Sequence, residues 1–295
     1  MSELKKEIKK LIPESLLGVM RKAKRKLKEN DTKILVPDDF LNEVYRKKVG
    51  YEKHKNEIET LVLRGSHADY GFYANNMKSV YNLGLNSSDL YINYQLFDSL
   101  HESTPNLKNI VLFFSVFTPG MSLIKTREKY RCVVYKHFFG IDYQDDNNLK
   151  KSLEKRIIKR IKKIKPQDVK HSYNGYEKKY SFGSFENAEN RVRTHIRENK
   201  REPDQMIWLD RLITESINKN FKIYIVIPPV SSNYKLLLPS QDELFMKLHN
   251  TINDRCEVIS FYDSNKFDDS DLGDTDHLNE KGAKKLTSEV LSVIN

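Results

Sequence analysis

Ser66 is the first residue whose type and position could support catalysis. It follows Gly65, and both come directly after 60–63, a short apolar run that predicts a buried strand. A serine on a tight turn at a strand end can project its hydroxyl into the crevice there, and its own N–H can face a developing oxyanion. Gly-Ser pairs after strands are common, so an ordinary turn is the alternative.

A second candidate lies in the polar loop near the C-terminus, where His277 follows Asp274 by three residues and Asp276 by one. On a turn, side chains at positions i and i+3 can face the same way. The Asp274 carboxylate can then accept Nδ1–H of the imidazole and leave Nε2 free to take a proton from a serine. Asp276 is the competing acid, but its adjacent position points it elsewhere. For His277 taken alone, a surface-loop histidine is the alternative.

Together, these segments resemble the SGNH (GDSL-like) hydrolase superfamily over residues 56–118 and 203–295. Four segments are similar to its motif blocks: the strand with Gly65-Ser66, residues 82–90, residues 225–231 and the loop 274–283. The 225–231 segment resembles the late strand and proline turn of members encoded with bacterial surface-polysaccharide genes. The resemblance implies Ser66 as nucleophile, His277 as base and Asp274 as orienting acid. We expect Ser66 Oγ and His277 Nε2 to lie within about 3.5 Å.

The sequence departs from the family pattern in the groups that would bind the oxyanion. The first block usually reads Gly-Asp-Ser, whereas this chain has Arg64 and Gly65 before Ser66. Ser87 stands closest to the glycine whose N–H the second block usually supplies. The third block usually supplies an asparagine, and here either Ser115 or Thr118 replaces it, or the oxyanion hole is weaker. We therefore assign the oxyanion hole to Ser66, Ser87 and Ser115.

Three further residues are assigned to substrate binding. His67 adjoins the nucleophile, Tyr70 could line a sugar site, and Pro229 lies in the turn after the late strand. A loop histidine and a core tyrosine are the ordinary alternatives for the first two. No histidine, cysteine or carboxylate group has metal-ligand spacing, and no glycine-rich phosphate loop is present, so we expect no metal and no bound cofactor.

The order of the predicted elements indicates an α/β fold with a central parallel sheet covered on both faces. Strands are predicted at 60–63, 109–114, 221–227 and 257–261, with another near Val80 and Leu83, and helices at 88–100, 203–218, 240–253 and from 280 onward. We expect a three-layer α/β/α sandwich, SGNH- or flavodoxin-like, over residues 56–295. Residues 1–55 are predicted as a basic helical arm and lead-in. Residues 120–202 are predicted as a basic, tyrosine-rich helical insertion, a lid or a docking surface.

The net charge of +10 is concentrated in two segments. Residues 1–30 contain ten Lys/Arg and four Glu, and residues 149–170 contain ten Lys/Arg and two acids, so the rest of the chain is mildly acidic. The basic amphipathic arm favours docking on an anionic membrane surface, with a solvated helix as the alternative, whereas nucleic-acid binding is disfavoured. The charged N-terminus and the two distant cysteines predict a cytoplasmic protein that can attach to the inner face of the cell membrane.

These observations favour a serine-dependent O-acyltransferase, with O-acetyl the expected group, acting on a carbohydrate hydroxyl in capsule or O-antigen biosynthesis. Acetyl-CoA is the expected donor and a carbohydrate or glycolipid the acceptor. A carbohydrate O-acetylesterase would use the same acyl-enzyme. A non-catalytic SGNH-like module that binds membrane or glycan is the second hypothesis, which the missing third-block asparagine supports and which Ser66, Asp274 and His277 oppose.

Overall fold

The computed structural model describes residues 36–143, 149, 151–165, 168–200, 204–238 and 241–294. The predicted arm, residues 1–30, lies outside the described residues. The chain is an α/β protein whose five strands form one parallel sheet. The strands are β1 (Thr60–Leu63), β2 (Val80–Leu83), β3 (Asn109–Phe113), β4 (Lys222–Ile227) and β5 (Glu257–Ser260).

The sheet has an apolar core on each face. Successive side chains of a strand point to opposite faces, and β1 shows this directly. Leu61 and Leu63 belong to the larger core, whereas Val62 between them belongs to the smaller one. In β1 to β4, continuous apolar runs are stable because both faces of the strands are removed from water, as the sequence predicted, whereas the edge strand β5 is only partly buried.

Ten helices lie within the described residues. They are α1 (Asp38–His54), α2 (Gly65–Gly71), α3 (Leu90–Leu100), α4 (Tyr130–Phe139), α5 (Lys151–Ile161), α6 (Ala188–Glu198), α7 (Met206–Asn218), α8 (Ser232–Leu237), α9 (Gln241–Ile252) and α10 (Glu280–Ile294). Helices α1, α3, α4 and α7 pack on the larger core, and α2 and α10 pack on the smaller one. None of these helices is both long enough and apolar enough to cross a membrane.

Helix α1 differs from the expectation that residues 1–55 form an arm and lead-in. Its buried side chains include Leu41, Val44 and Tyr51, which follow one another at helical spacing and join the larger core. These side chains are buried because the apolar stripe of the helix packs against the sheet. The globular body therefore includes residues that precede position 56.

The predicted insertion, residues 120–202, contains α4, α5 and α6, and its first two helices extend the main core. Helix α5 buries Leu153, Ile157 and Ile161 on one stripe, while its basic side chains occupy the other face. Half of the +8 charge of 149–170 thus belongs to the polar face of a packed helix, which holds five Lys/Arg and one Glu.

A buried ion pair ties three parts of the chain together. Lys47 Nζ in α1 lies 2.7 Å from Asp69 Oδ1 in α2, and both side chains are fully buried. The same ammonium donates to the backbone carbonyl of Gly175 in the insertion at 2.5 Å. Since α2 also carries Ser66, this pair helps to fix the helix that presents the candidate nucleophile.

The strand order β2-β1-β3-β4-β5 sets the place of the crevice. From β1 the chain runs outward to β2 and then returns to β3 on the other side of β1. In open parallel sheets, ligands bind beyond the carboxyl ends of the strands at such a reversal point. Ser66 follows β1 at this place.

Candidate active site

Ser66 is presented by a strand-turn-helix unit. β1 ends at Leu63, and the next two residues have positive φ, 87° at Arg64 and 64° at Gly65. Glycine adopts this conformation at little cost, and the Gly65 N–H donates to Ser88 Oγ at 3.0 Å. A tight turn was predicted here; the chain turns at these two residues and continues directly into α2. Ser66 lies in the first turn of α2, where helix geometry gives its N–H no acceptor.

His277 is held in a loop that closes on itself. Leu272 and Leu278 form an antiparallel bridge, and the Gly273 N–H donates to the carbonyl of His277 at 2.8 Å. Gly282 at the start of α10 allows close approach, since a Cβ there would lie 2.1 Å from the carbonyl oxygen of Asp271. This closure places residues 274 and 277 on the same side of the loop.

The fold brings the three predicted residues into one hydrogen-bonded chain. Ser66 Oγ lies 2.8 Å from His277 Nε2, and His277 Nδ1 lies 3.0 and 3.1 Å from the two carboxylate oxygens of Asp274. Such a chain can remove a proton from the serine hydroxyl while the carboxylate stabilises the resulting imidazolium. The geometry is suited to nucleophilic attack by Ser66.

Asp274 is arranged to remain ionised. Its Oδ1 accepts the backbone N–H groups of Asp276 and His277 at 3.1 and 2.9 Å, and its Oδ2 accepts that of Gly183 at 3.3 Å. Burial alone would raise the pKa of Asp274, but the hydrogen bond and charge interaction with His277 lower it below its usual value. Gly183 belongs to the insertion, which therefore completes the site.

Asp276, the competing acid, has a different set of partners. Its carboxylate is buried and accepts a bidentate pair of hydrogen bonds from Arg191 of α6, at 2.8 and 3.0 Å. Its Oδ1 lies 3.8 Å from His277 Nδ1, outside hydrogen-bond distance. Burial opposes ionisation, yet His277, Arg191 and His195 hold the pKa of Asp276 well below its usual value. Asp274 is therefore the residue that orients the base.

His67 lies between the Asp276 carboxylate and the His277 ring at the crevice wall. Its ring stacks on that of His277 with centroids 5.0 Å apart, and its Nε2 lies 3.3 Å from Asp276 Oδ2. Burial lowers the pKa of His67. His67, Asp276 and His277 also place one possible metal-ligand atom each within 4.8 Å of one another. In His277, however, the two ring nitrogens are engaged by Ser66 and Asp274.

Ser66 lies on the wall of a crevice of about 480 Å³. This volume is within the size range of small-molecule sites. Its walls include Arg64, Ser66, His67, Ser87, Phe117, Met121, Arg127, Glu128, Arg191, His195, Arg197 and Glu198. Four arginines and two glutamates belong to this set. Arg191 and Arg197 are paired with Asp276 and Glu198, so the positive charge that favours anionic groups comes from Arg64 and Arg127.

Two of the predicted substrate residues lie elsewhere. Tyr70 does not line the crevice, because its ring is buried between Phe182 and His277, with centroids 6.4 and 5.4 Å away. Pro229 lines a separate cavity with Phe261 and Tyr262. Among the three predicted substrate residues, only His67 lines the crevice.

The predicted oxyanion residues divide in a similar way. Ser87 lines the crevice with φ of 60°, a conformation that favours glycine. Ser115 does not line it, because its N–H and hydroxyl bond to Thr118 Oγ1 at 2.8 and 3.2 Å. Arg64 Nη1 instead reaches Ser115 Oγ at 3.4 Å, and Arg64 is one of the crevice-lining residues although it is almost fully buried.

The sequence did not identify Arg64, Arg191 or His195 as site residues. Arg64 is 1% exposed, and its Nε and Nη2 have no hydrogen-bond partner among the described residues. Burial lowers the pKa of Arg64 to about 10. An amphipathic pattern could have identified α6, but nothing in that pattern indicates which side chains reach the loop 271–279.

No family model matches the chain, and no curated protein matches it either.

Proposed function

We propose that this protein is a serine-dependent O-acyltransferase of the SGNH kind that acetylates a carbohydrate hydroxyl in bacterial surface-polysaccharide biosynthesis. The observation that carries the proposal is the chain from Ser66 Oγ through the His277 imidazole to Asp274, with separations of 2.8 and 3.0 Å, at the wall of a 480 Å³ crevice. A serine with only a structural role has no need of a buried imidazole that is hydrogen-bonded to a buried carboxylate.

The chemistry proceeds in two halves. His277 Nε2 takes the proton as Ser66 Oγ attacks the carbonyl of an ester or thioester donor, and the C–O bond to Ser66 forms. Collapse of the tetrahedral intermediate breaks the bond to the leaving group, which receives the proton from the imidazolium. An acceptor hydroxyl then attacks the acyl-enzyme while His277 removes its proton. The bond between the acyl group and Ser66 Oγ breaks, and Ser66 recovers its proton from the imidazolium. Water as the acceptor would make the same enzyme an O-acetylesterase.

The SGNH assignment is supported by two features beside the motif blocks. The nucleophile precedes the acid and the base in the chain, and it follows the first strand of a parallel sheet. The positive φ of Ser87 occurs at the position that resembles the family's oxyanion glycine. A side chain there is compatible with the role because the donor would be the backbone N–H.

Acetyl-CoA suits the charge of the crevice. Arg127 and Arg197 lie on the same walls as Ser66, and guanidinium groups bind phosphates well. We propose further that residues 1–30 hold the protein at an anionic cytoplasmic membrane face, where a lipid-linked glycan acceptor would be available. This arm is proposed from its sequence alone.

Labelling with a fluorophosphonate probe tests the proposal, since the probe reacts with an activated serine. We expect covalent modification of the wild-type protein at Ser66 and none in Ser66→Ala. Ser115→Ala is the matched control, because that hydroxyl is buried against Thr118. A folded wild-type protein that resists the probe would favour the non-catalytic binding module.

Arg64 is expected to supply the oxyanion donor that the third-block asparagine provides in the family. Its guanidinium has two buried nitrogens without a partner among the described residues, and Arg64 lines the crevice two residues before the nucleophile. Arg64→Lys keeps the positive charge but removes the planar fork. Loss of one oxyanion donor costs about 100- to 1,000-fold in kcat, so we expect a kcat loss of this size for p-nitrophenyl acetate with little change in KM.

Ser115→Ala separates this role from the one predicted for Ser115. Because Ser115 does not line the crevice, its loss should lower kcat by less than about tenfold. Thermal unfolding of both variants would check that the fold is retained. A larger kcat loss in Ser115→Ala than in Arg64→Lys would return the donor role to Ser115.

A further inference from the structure

A second cluster of side chains that could bind a metal ion lies toward the end of β1 opposite to the crevice. His54 ends α1 and Glu57 follows in the connection to β1, so both precede the strand, whereas Ser66 follows it. His171 reaches the same place from the insertion. One ligand atom from each of the three lies within 4.8 Å of the others.

We propose that His54, Glu57 and His171 form a binding site for a divalent transition-metal ion, with zinc the best match. Two imidazoles and one carboxylate are ligands that zinc accepts in proteins, with a water in the fourth position of a tetrahedral ion. The sequence predicted no metal, because the third ligand comes from a distant segment and no spacing rule connects it to the first two.

The state of His54 is the observation that points to a ligand. Its side chain is 2% exposed, yet neither Nδ1 nor Nε2 has a hydrogen-bond partner within the described part of the chain. Buried imidazole nitrogens normally find a partner, because leaving them unpaired loses their hydration without compensation. A metal ion would supply a partner at this position.

The geometry needs only a small adjustment. His54 Nδ1 lies 3.9 Å from Glu57 Oε2, and the rings of His54 and His171 have centroids 4.8 Å apart. Zinc–nitrogen and zinc–oxygen bonds of about 2.0–2.1 Å place neighbouring ligand atoms of a tetrahedral ion about 3.3 Å apart. Glu57 and His171 are exposed and can close this difference by side-chain rotation.

The backbone that carries His171 is already fixed against the body. Lys53 Nζ donates to the carbonyl of Val169 at 2.9 Å, and the Asn76 N–H donates to the carbonyl of Ser172 at 2.9 Å. A bound ion would therefore join the end of α1 to the insertion with little reorganisation. Its role would be structural, and it would strengthen the docking of the segment that reaches the active site.

The test is zinc binding by the tag-free full-length protein after removal of metal with a chelator. Competition with a chromophoric chelator should give one zinc per chain for the wild type. His171→Ala and Glu57→Gln should each weaken binding at least about 100-fold, since losing a residue that only hydrogen-bonds to a metal ligand already costs about 10- to 100-fold. Both positions are exposed, so the folded state should survive. His249→Ala, at another exposed histidine, should bind like the wild type.

Two further readouts make the result unambiguous. Cobalt bound in place of zinc should give the visible spectrum of a tetrahedral site in the wild type and lose it in His171→Ala. Zinc should raise the unfolding temperature of the wild type but not of His171→Ala, because only the folded state assembles the ligands. Unchanged zinc affinity in His171→Ala would overturn the proposal. So would loss of the ion in His277→Ala with retention in His171→Ala, which would place the ion at the triad.

Discussion

Replacing Ser66 by alanine is expected to remove nearly all enzymatic hydrolysis of p-nitrophenyl acetate. Ser66 Oγ is the atom within 2.8 Å of the base, and without it no acyl-enzyme can form. Loss of a triad serine costs on the order of a millionfold in kcat where the full range can be measured. The measurement is initial-rate kinetics on purified protein, with thermal unfolding to verify the fold.

His277→Ala should give a loss of similar size, because the serine hydroxyl is a weak nucleophile without its base. The double variant should be no worse than either single one, since residues that act as a unit are non-additive. His195→Gln is the informative comparison, because His195 lines the same crevice but bonds to the hydroxyl of Tyr234. Wild-type turnover in Ser66→Ala would show that another nucleophile acts.

Asp274→Asn is expected to lower kcat by about 10,000-fold without a comparable loss of stability. The carboxylate accepts Nδ1–H of His277 at 3.0 Å and so fixes the tautomer that leaves Nε2 free for Ser66. An amide of the same shape can turn its NH₂ toward the ring and stabilise the opposite tautomer, and this change costs about 10⁴-fold in a serine protease. Kinetics at several pH values would measure the loss.

Asp276→Asn is the matched control, since it makes the same change two residues away. Its carboxylate is buried with Arg191 and does not hydrogen-bond His277. Breaking one partner of a buried ion pair costs about 3 kcal/mol or more, so this variant should unfold more easily. Its kcat should fall less than that of Asp274→Asn. The reverse order of rate losses would identify Asp276 as the orienting acid.

The site could be anticipated only where its geometry is local. Asp274 and His277 are three residues apart, so loop geometry alone can bring them together. In the structure, Asp274 Oδ1 lies 3.0 Å from His277 Nδ1. Ser66 could be recognised because a strand end and a glycine fix its surroundings. Tyr70 and Pro229 do not line the crevice, because proximity in the sequence does not determine which way a side chain points.

The amino-acid sequence by itself determined the parallel α/β architecture and the elements that carry Ser66 and His277. The spacing of apolar residues repeats within a few positions, so helices and strands can be recognised from it before the fold is known. The tertiary structure alone decided that Arg191 would neutralise Asp276, that Arg64 rather than Ser115 would face the crevice, and that His171 would meet His54. These contacts join segments far apart in the chain. Their free energy comes from burying and pairing groups that meet only after the sheet and its helices have packed.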